Sequence, residues 1–443
     1  MLLEFSVANI LSFNTTVSFK MESDFSRAEV FNNNTIYESY NSKRKKGYVH
    51  NSAVIYGANA SGKSNLFFAI AYLKELVENS YEKAIEPVIF KFKDKSEPSK
   101  LLIRFIENVE EQKYQFRYEI DINSKGVILN ESLFASEISN DVVGKERVVF
   151  RREDDHFVVF RKDLHDLVEN YKTNNIETKA AISFFNNDIN KSFFKETLEK
   201  KGYKFLNAVY NFIIDKIIIS NRERDNSTIA EMLQDLDFKE KVIYALNEID
   251  NSIEDFAVID LTDTFYDRMK KMLNSKNKDF IPTSILEEFE LIEKKKKKFL
   301  DFRTIHKVED KEYTLDFYLE SSGTRKFIDE FIDIVDCLEN NKIYIIDEIE
   351  NHYHEFIQRY ILDLFLNQEE GKTAQIITTT HSLEFLDPNR FAKEQIWFVE
   401  KDRTTQESLL YRLSDFKEIT YNNHNWKNLY LQGRLGAVPK VIM

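Results

Sequence analysis

The first third of the chain contains short runs of alternating apolar and polar positions, which predict strands. Residues 2–20 alternate loosely and predict a hairpin. Residues 114–122 alternate strictly between large apolar and polar side chains. Together with apolar runs at residues 101–106, 147–151 and 157–160, they predict an antiparallel sheet. Residues 22–50 are polar and rich in Asn and Ser, and they predict a loop.

The rest of the chain mixes apolar runs with segments whose apolar residues recur at helical spacing. Helical spacing dominates from about residue 164 to 303, although residues 212–220 and 256–261 have the pattern of strands. Further strands are predicted at residues 51–56, 313–319, 342–346, 374–378 and 395–399. We therefore predict an α/β fold in three parts: an N-terminal lobe at residues 1–163, a mainly helical insertion at 164–305 and a C-terminal lobe at 306–443.

A glycine-rich turn between a predicted strand and a predicted helix is a candidate phosphate site. Gly57, Gly62, Lys63 and Ser64 have the spacing G-x-x-x-x-G-K-[ST], in which backbone N–H groups surround phosphates and the lysine reaches the β- and γ-phosphates. A chance glycine turn is the alternative, and the flanking strand and helix argue against it. The predicted nucleotide-binding residues are Gly57, Ala58, Asn59, Ala60, Ser61, Gly62, Lys63, Ser64 and Asn65.

Two later strands end in residues that complete a predicted hydrolytic site. A buried-looking strand ends at Asp347 and Glu348, at the edge where open α/β sheets bind their ligands. We predict that Asp347 and Ser64 hold Mg²⁺, while Glu348 is the general base that activates water. Lys63 is predicted to neutralise the transferring phosphoryl group, and His381 after the next strand to contact the γ-phosphate. An acidic pair at a strand end is common, so the combination carries this prediction.

Three further features allow a functional and a structural interpretation. The Ser-Ser-Gly turn at residues 321–323 opens a predicted helix and is either an anion site or an ordinary helix cap. Lysine-rich runs at residues 43–46 and 294–298 are candidates for phosphate or nucleic-acid contact, although a solvated surface is the commoner meaning. His352 and His354 lack the further ligands that a metal site needs, which favours a surface pair.

Composition limits the class of protein. The chain has 443 residues, 42% of them hydrophobic, which is ample for a core divided over two or three parts. The net charge of −13 argues against a uniformly basic surface that coats nucleic acid. The single cysteine, Cys337, excludes an internal disulfide framework and fits a reducing compartment. Because the chain lacks a secretory start and an apolar run of roughly 20 residues, we expect a cytoplasmic protein without a membrane span.

The order of the motifs resembles that of the ABC/SMC-like ATPases, and most closely the OLD-type (overcoming-lysogenisation-defect) AAA ATPases of bacterial phage defence. The similar motifs lie at residues 57–64, 320–324, 345–350 and 379–382. Segments that resemble a stand-alone branch of this group lie at residues 395–401, 413–416 and 430–439, and residues 3–13 are similar to the first strands of the family. The resemblance implies an ABC-type P-loop ATPase head with an antiparallel β subdomain and a mainly helical insertion, and it implies ATP and Mg²⁺ as cofactors.

In such ATPases, two subunits enclose two nucleotides, and the signature of one subunit faces the phosphate loop of the other. The resemblance therefore implies that Ser321, Ser322 and Gly323 bind nucleotide on a neighbouring subunit. ATP is then expected to hold together a homodimer, or a higher even assembly, that hydrolysis rearranges. About sixty residues follow His381, and we expect no Toprim nuclease among them. The expected effector is a separate protein, of the nuclease class, in a two-gene defence system.

The chain departs from the family pattern in two places. The family places a His-Pro pair in the segment after Glu348, whereas here His354 is followed by Glu355. The glutamine of the family's Q-loop has no assignment, because Gln112 and Gln115 lie in segments that do not align.

Three other functions stay open at this point. An SMC-like DNA-repair ATPase would need a long coiled-coil arm or a basic DNA-facing surface, and salt-sensitive DNA binding would identify it. The nucleotide-binding subunit of a transporter would be more compact between Ser64 and Ser321, and it would fractionate with membranes. A nucleotide-gated scaffold would bind ATP with little turnover and would be insensitive to Glu348→Gln.

Overall fold

The chain divides into two units in the computed structural model of the protein: one of Met1–Ser220 with Cys337–Met443, and one of Asn221–Asp336. The structure describes residues 1–23, 35–40, 46–92, 97–172, 177–187, 199–220, 226–248, 253–274, 286, 289–290, 292–294, 298–351, 353–420 and 425–438. The two units meet after residues 220 and 336, whereas the predicted domain boundaries follow residues 163 and 305. Residues 199–220 belong to the first unit because their helix packs in its hydrophobic core.

The strands of the described residues are numbered in chain order. They are β1 Leu2–Ala8, β2 Val17–Lys20, β3 Glu22–Ser23, β4 Thr35–Tyr40, β5 Lys46–His50, β6 Ser52–Gly57, β7 Ser99–Val109, β8 Gln112–Ile122, β9 Ile128–Ser139, β10 Val142–Val143, β11 Arg147–Glu153, β12 His156–Phe160, β13 Ile217–Ile219, β14 Ile253–Asp260, β15 Leu300–Val308, β16 Lys311–Asp316, β17 Ile343–Ile346, β18 Gln375–Thr380, β19 Ile396–Lys401 and β20 Ser408–Arg412.

The α-helices are numbered in the same way. They are α1 Lys63–Asn79, α2 His165–Lys172, α3 Ala181–Asn186, α4 Lys201–Asn211, α5 Asn226–Met232, α6 Leu236–Asn247, α7 Thr262–Leu273, α8 Ser322–Glu339, α9 Glu355–Leu366 and α10 Trp426–Leu431. Within the described ranges, none of these helices is long and apolar enough to cross a membrane.

A six-stranded sheet in the first unit carries the predicted motifs. Its order is β13-β17-β18-β6-β19-β20, and all neighbours are parallel except β19 and β20. The strands β6, β17 and β18 are buried along their whole length, as the apolar runs in their sequences require of parallel strands covered on both faces. Their carboxyl ends therefore lie side by side at one edge of the sheet.

An eleven-stranded sheet completes the first unit and confirms the antiparallel β subdomain. Its main order is β2-β1-β7-β8-β9-β10-β4-β5-β3. Off this path, β11 pairs with β9, and β12 pairs with β11. The predicted loop at residues 22–50 is wrong in part, because it contains β4 and β5, which pair antiparallel with each other. Strand pairing satisfies the backbone hydrogen bonds of this polar segment. Apolar alternation therefore did not predict its strands.

One hydrophobic core joins the two sheets of the first unit. Phe5 of β1, Phe116 of β8, Leu66 of α1 and Ile345 of β17 all belong to it. The buried side chain of Gln375 also links the sheets, since its Oε1 accepts the N–H of Leu2 at 2.6 Å and its Nε2 donates to the carbonyls of Leu2 and His50. The six-stranded sheet that carries the motifs is thus packed against the same hydrophobic core as the eleven-stranded sheet.

The second unit has its own three-stranded antiparallel sheet of β14, β15 and β16. Phe256 and Phe302 meet edge-to-face at 5.9 Å between ring centroids, and both are buried. The strand predicted at residues 256–261 is thereby confirmed as β14. The other strand predicted inside the insertion, at residues 212–220, is a π-helical turn at Phe212–Lys216 followed by β13 of the parallel sheet. The overall α/β fold class is confirmed.

Candidate nucleotide-binding site

The predicted phosphate loop connects β6 to α1 with a backbone that requires glycine. A Cβ at Gly57 would lie 2.5 Å from both the Ser61 hydroxyl oxygen and the Val399 carbonyl oxygen, so no larger residue fits there. Gly62 has a φ of 107°, which L side chains rarely adopt, and it immediately precedes α1. The residues Ala58, Asn59, Ala60 and Ser61 form the turn, and Lys63, Ser64 and Asn65 are the first three residues of α1.

A chain of hydrogen bonds holds this loop against two distant segments. The Ser408 hydroxyl of β20 donates to the Ser61 carbonyl at 2.6 Å and lies 2.7 Å from the Ser12 hydroxyl. Because a hydroxyl has one proton and a carbonyl accepts only, Ser12 must donate to Ser408. Asn65 Nδ2 in turn donates to Ser12 Oγ at 2.7 Å. The roles of Ser12 and Ser408 were not predicted, since 396 residues separate them and neither lies in the phosphate-loop, acidic or histidine motif.

The side chain of Lys63 is 4% exposed and contacts the loop itself. Its ammonium donates to the Gly57 carbonyl at 3.0 Å and to His381 Nε2 at 3.0 Å. A lysine ammonium has no acceptor, so His381 must accept at Nε2 and carry its proton on Nδ1. Lys63 and His381, which were both predicted to bind phosphate, therefore contact each other directly.

Burial and charge set the protonation of this pair. Burial lowers the pKa of Lys63, against the opposing effect of the Glu348 and Asp347 carboxylates. Burial also lowers the pKa of His381, and the positive charge of Lys63 lowers it further, which agrees with a neutral imidazole as acceptor. Negative phosphate oxygens are the natural competing partners for the Lys63 ammonium.

Thr379 joins the acidic pair to the neighbouring strand. Its hydroxyl donates to Asp347 Oδ1 at 2.5 Å and accepts the Glu348 N–H at 2.7 Å. Glu348 has a φ of 49°, an uncommon value for this residue type, and this bend follows directly from the end of β17. Asn351 Nδ2 donates to Glu348 Oε2 at 2.5 Å. Thr379 of β18, the backbone bend at Glu348 and the Asn351 amide thus orient Glu348, the predicted general base.

Glu350 contacts the segment that carries His381, and the sequence did not reveal these contacts. Its Oε1 accepts the His381 N–H at 2.6 Å, and its Oε2 accepts the Thr380 hydroxyl at 2.7 Å. These two bonds fix the backbone that carries the His381 imidazole. The signal was present as the second glutamate of the Asp-Glu-Ile-Glu segment at residues 347–350, but spacing alone does not indicate which carboxylate faces which strand.

The oxygen ligands of Asp347 and Ser64 fit the predicted Mg²⁺. In the part of the chain that the structure describes, no group of three or more His, Cys, Asp or Glu side chains is placed to hold a metal. Mg²⁺ does not require such a cage, because it is commonly held by one or two carboxylates, phosphate oxygens and water. The donor set of this loop and strand end is therefore compatible with a metal that arrives with a nucleotide.

The predicted signature lies in the second unit at the start of α8. Ser321 Oγ accepts the Thr324 N–H at 3.0 Å, so this hydroxyl caps the helix. Ser322 and Gly323 are the first residues of α8, and their contact with a phosphate stays a prediction. His354 also caps a helix, since its Nδ1 accepts the Phe356 N–H at 3.4 Å at the start of α9.

Some predicted features lie outside the described residues. They are His352, residues 43–45 and residues 295–297 of the lysine-rich runs, and Pro439, the last residue of the family-like segment at 430–439.

An open cleft of about 1050 Å³ adjoins the outer side of the loop. It is lined by residues 58–61, by His381, by residues 399–404 at the end of β19 and by Gln406. The cleft is large enough for a nucleoside triphosphate, because drug-sized ligands occupy pockets of about 300–1,000 Å³.

The sequence at residues 52–387 matches the family described as "AAA domain, putative AbiEii toxin, Type IV TA system". No curated protein matches the chain. Similar solved structures include an Smc head bound to the C-winged helix domain of ScpA, with 11% identity over 94% of this chain and 99% of that chain and a TM-score of 0.40. The SMC head domain from Thermotoga maritima has 12% identity, 93% and 98% coverage, and a TM-score of 0.36. An Smc head with a coiled coil and joint from Pyrococcus yayanosii has 11% identity, 98% and 99% coverage, and a TM-score of 0.36.

Proposed function

The chain belongs to the AAA-domain family that its sequence matches at residues 52–387, and we propose that it hydrolyses ATP in a Mg²⁺-dependent reaction. One observation carries this proposal. Lys63 at the start of α1, the acidic pair Asp347 and Glu348 after β17, and His381 after β18 come together at one edge of the sheet. A hydrogen bond joins Lys63 to His381, and the Thr379 hydroxyl bridges Asp347 and Glu348. A lone acidic strand end or a lone glycine turn would not assemble these four groups.

The residues of the chain suggest how the reaction proceeds. Phosphate oxygens replace the Gly57 carbonyl and the His381 imidazole as partners of the Lys63 ammonium, which brings the positive charge to the β- and γ-phosphates. Asp347 and Ser64 would be the protein ligands of Mg²⁺, which when bound would further neutralise the charge of the phosphates. Glu348, oriented by Asn351, accepts the proton of the attacking water.

Release of His381 from Lys63 links nucleotide binding to the rest of the site. In the structure, His381 Nε2 lies 3.0 Å from the Lys63 ammonium and 3.9 Å from Glu348 Oε1. Once the ammonium turns to phosphate, the imidazole is free to contact the γ-phosphate, which exists in ATP and is absent in ADP. His381 is thus suited to distinguish the two states, as the sequence predicts.

We extend this proposal to a nucleotide-gated dimer that controls a separate effector. Support comes from the order of the motifs, which resembles ATPases whose signature segment acts on a neighbouring subunit. We propose anti-phage defence as the setting and a nuclease as the effector, on the resemblance to the OLD-type ATPases.

Steady-state phosphate release tests the enzymatic part. We expect turnover in the wild-type chain that Lys63→Ala and Glu348→Gln abolish, whereas Glu369→Gln, which changes an exposed carboxylate outside the site, is silent. Glu348→Gln should still bind ATP and should accumulate an ATP-bound dimer in light scattering. Turnover that survives both site variants would refute the assignment, and turnover near zero in the wild type together with an unaffected Glu348→Gln would indicate a scaffold.

A further inference from the structure

A second, smaller pocket lies beside the phosphate loop in the first unit. It has a volume of about 230 Å³ and is lined by residues 11–12, Asn65, residues 88–92, Lys401 and Gln406. Lys401 and Gln406 also line the large cleft next to the loop. The two openings are therefore neighbours, and a single ligand can extend from one into the other.

The wall of this pocket presents an unusually exposed aromatic ring. The Phe92 side chain is 71% exposed, while Phe90 is 3% exposed. The two rings meet edge-to-face with centroids 5.6 Å apart, so the buried ring holds the exposed one. The Leu11 N–H donates to the Val88 carbonyl at 2.7 Å and anchors the segment to the hairpin that precedes the loop. A phenyl face fixed in this way is ready to stack on a flat ligand.

A nucleotide bound at the loop has a direction, from its γ-phosphate to its base, and that direction leads to this pocket. Lys63 and His381 mark the end of the site that receives the γ-phosphate. In a phosphate loop the backbone N–H groups surround the α- and β-phosphates, and here the loop leads into the first turn of α1, which contains Asn65. The Asn65 side chain donates to Ser12, and both residues line the small pocket. The nucleoside therefore leaves the loop in the direction of Phe92.

We propose that this pocket binds the purine base of ATP, with the ring stacked on Phe92. The inference rests on the proposed ATPase function and adds the source of its nucleoside affinity. A volume of 230 Å³ is below the range of pockets that hold whole ligands, so the pocket fits a ring rather than a complete nucleotide. The positive charge of Lys401, at the boundary of pocket and cleft, lies where the α-phosphate and ribose pass.

Calorimetric titration with Mg²⁺-ATP and with Mg²⁺-tripolyphosphate tests the inference. Tripolyphosphate carries the phosphates without a base, so it isolates the contribution of the loop. We expect Phe92→Ala to bind ATP about tenfold more weakly, because the variant loses the stacking of the base on an aromatic ring. Tripolyphosphate should bind Phe92→Ala as it binds the wild type, and Phe92→Trp should retain ATP affinity.

The matched control is Phe68→Ala. The Phe68 ring is 60% exposed on α1 and lies outside the lining of the pocket, so its removal should leave both affinities unchanged. The inference is overturned if Phe92→Ala binds ATP like the wild type, or if it loses ATP and tripolyphosphate affinity in equal measure. A wild-type chain that binds tripolyphosphate as tightly as ATP also overturns it while leaving the phosphate loop intact. If the wild type binds neither ligand, the proposed ATPase function itself fails.

Discussion

Thr379→Val removes one hydroxyl from the candidate site and keeps the volume of the side chain. The hydroxyl is buried, donates to Asp347 at 2.5 Å and accepts the Glu348 N–H at 2.7 Å. A hydrogen bond to a charged group contributes about 1.5–3 kcal/mol, and a buried N–H that loses its partner costs about 1–3 kcal/mol. Because Asp347 and Glu348 are partly exposed, water recovers part of this loss. We expect the free energy of unfolding of the first unit to fall by about 3 kcal/mol.

Urea unfolding followed by tryptophan fluorescence measures this change. The two tryptophans of the chain, Trp397 and Trp426, are buried in the first unit, so their emission reports that unit. Thr378→Val is the matched control, because this buried neighbour on β18 donates a neutral hydrogen bond to the Thr379 carbonyl at 3.1 Å. Its loss should lower the free energy of unfolding by about 1 kcal/mol.

ATP turnover provides the second readout of Thr379→Val. A carboxylate that is displaced by a fraction of an ångström loses its alignment with the metal and with water, so we expect turnover to fall at least about tenfold. Thr378→Val should retain most of its turnover. Equal destabilisation by the two variants, or full turnover in Thr379→Val, would show that the hydroxyl does not hold the acidic pair.

Three further predictions concern the residues around the loop and the imidazole. Ser408→Ala leaves the Ser61 carbonyl without its hydroxyl partner, so we expect a loss of about 1–3 kcal/mol in urea unfolding and weaker binding of tripolyphosphate in calorimetry; unchanged binding would contradict the role of this bond. Glu350→Gln should lower ATP turnover by about tenfold with little change in ATP affinity, because it disturbs the backbone of His381 and not the phosphate loop; an equal loss of affinity would argue against a positioning role. The pKa of His381 is lowered by burial and by Lys63, so the unfolded chain binds more protons than the folded one. Stability from this group is complete above the ordinary pKa of about 6.5 and is lost as the pH falls from there through the lowered folded pKa. His381→Gln should therefore show less acid destabilisation than the wild type between pH 7 and 5, and parallel pH profiles would refute this.

The sequence predicted those parts of the site that local pattern determines. The glycine spacing required the turn between β6 and α1, and Asp347 and Glu348 follow the strand that its apolar residues indicated. Parallel strands buried on both faces leave continuous apolar runs, which is why the edge of the sheet was predictable. The expected contact of Lys63 with phosphate is consistent with the loop, although the contact of Lys63 with His381 was not foreseen.

The parts that were missed depend on residues far apart in the chain. The contacts of Glu350 with Thr380 and His381 follow from the order of β17 and β18 in the sheet, which no local pattern encodes. The strands β4 and β5 arise from pairing within the eleven-stranded sheet rather than from alternation. In the three-stranded sheet of the second unit, the strands β14 and β16 were predicted, whereas β15 and the pairing of the three strands were not.

The chain of hydrogen bonds through Ser12 and Ser408 has a consequence for synthesis on the ribosome. The strand β6 pairs with β18 and β19, and the Ser61 carbonyl is held by Ser408, so the loop lacks these supports until the last part of the chain has emerged. At about 5–20 residues per second, the interval between translation of the loop and of its supports is on the order of tens of seconds. A nascent chain should therefore pass through a long period in which the glycine turn exists but is not yet fixed for phosphate. Affinity for nucleotide is then acquired late in translation, when the first and last strands of the unit have met.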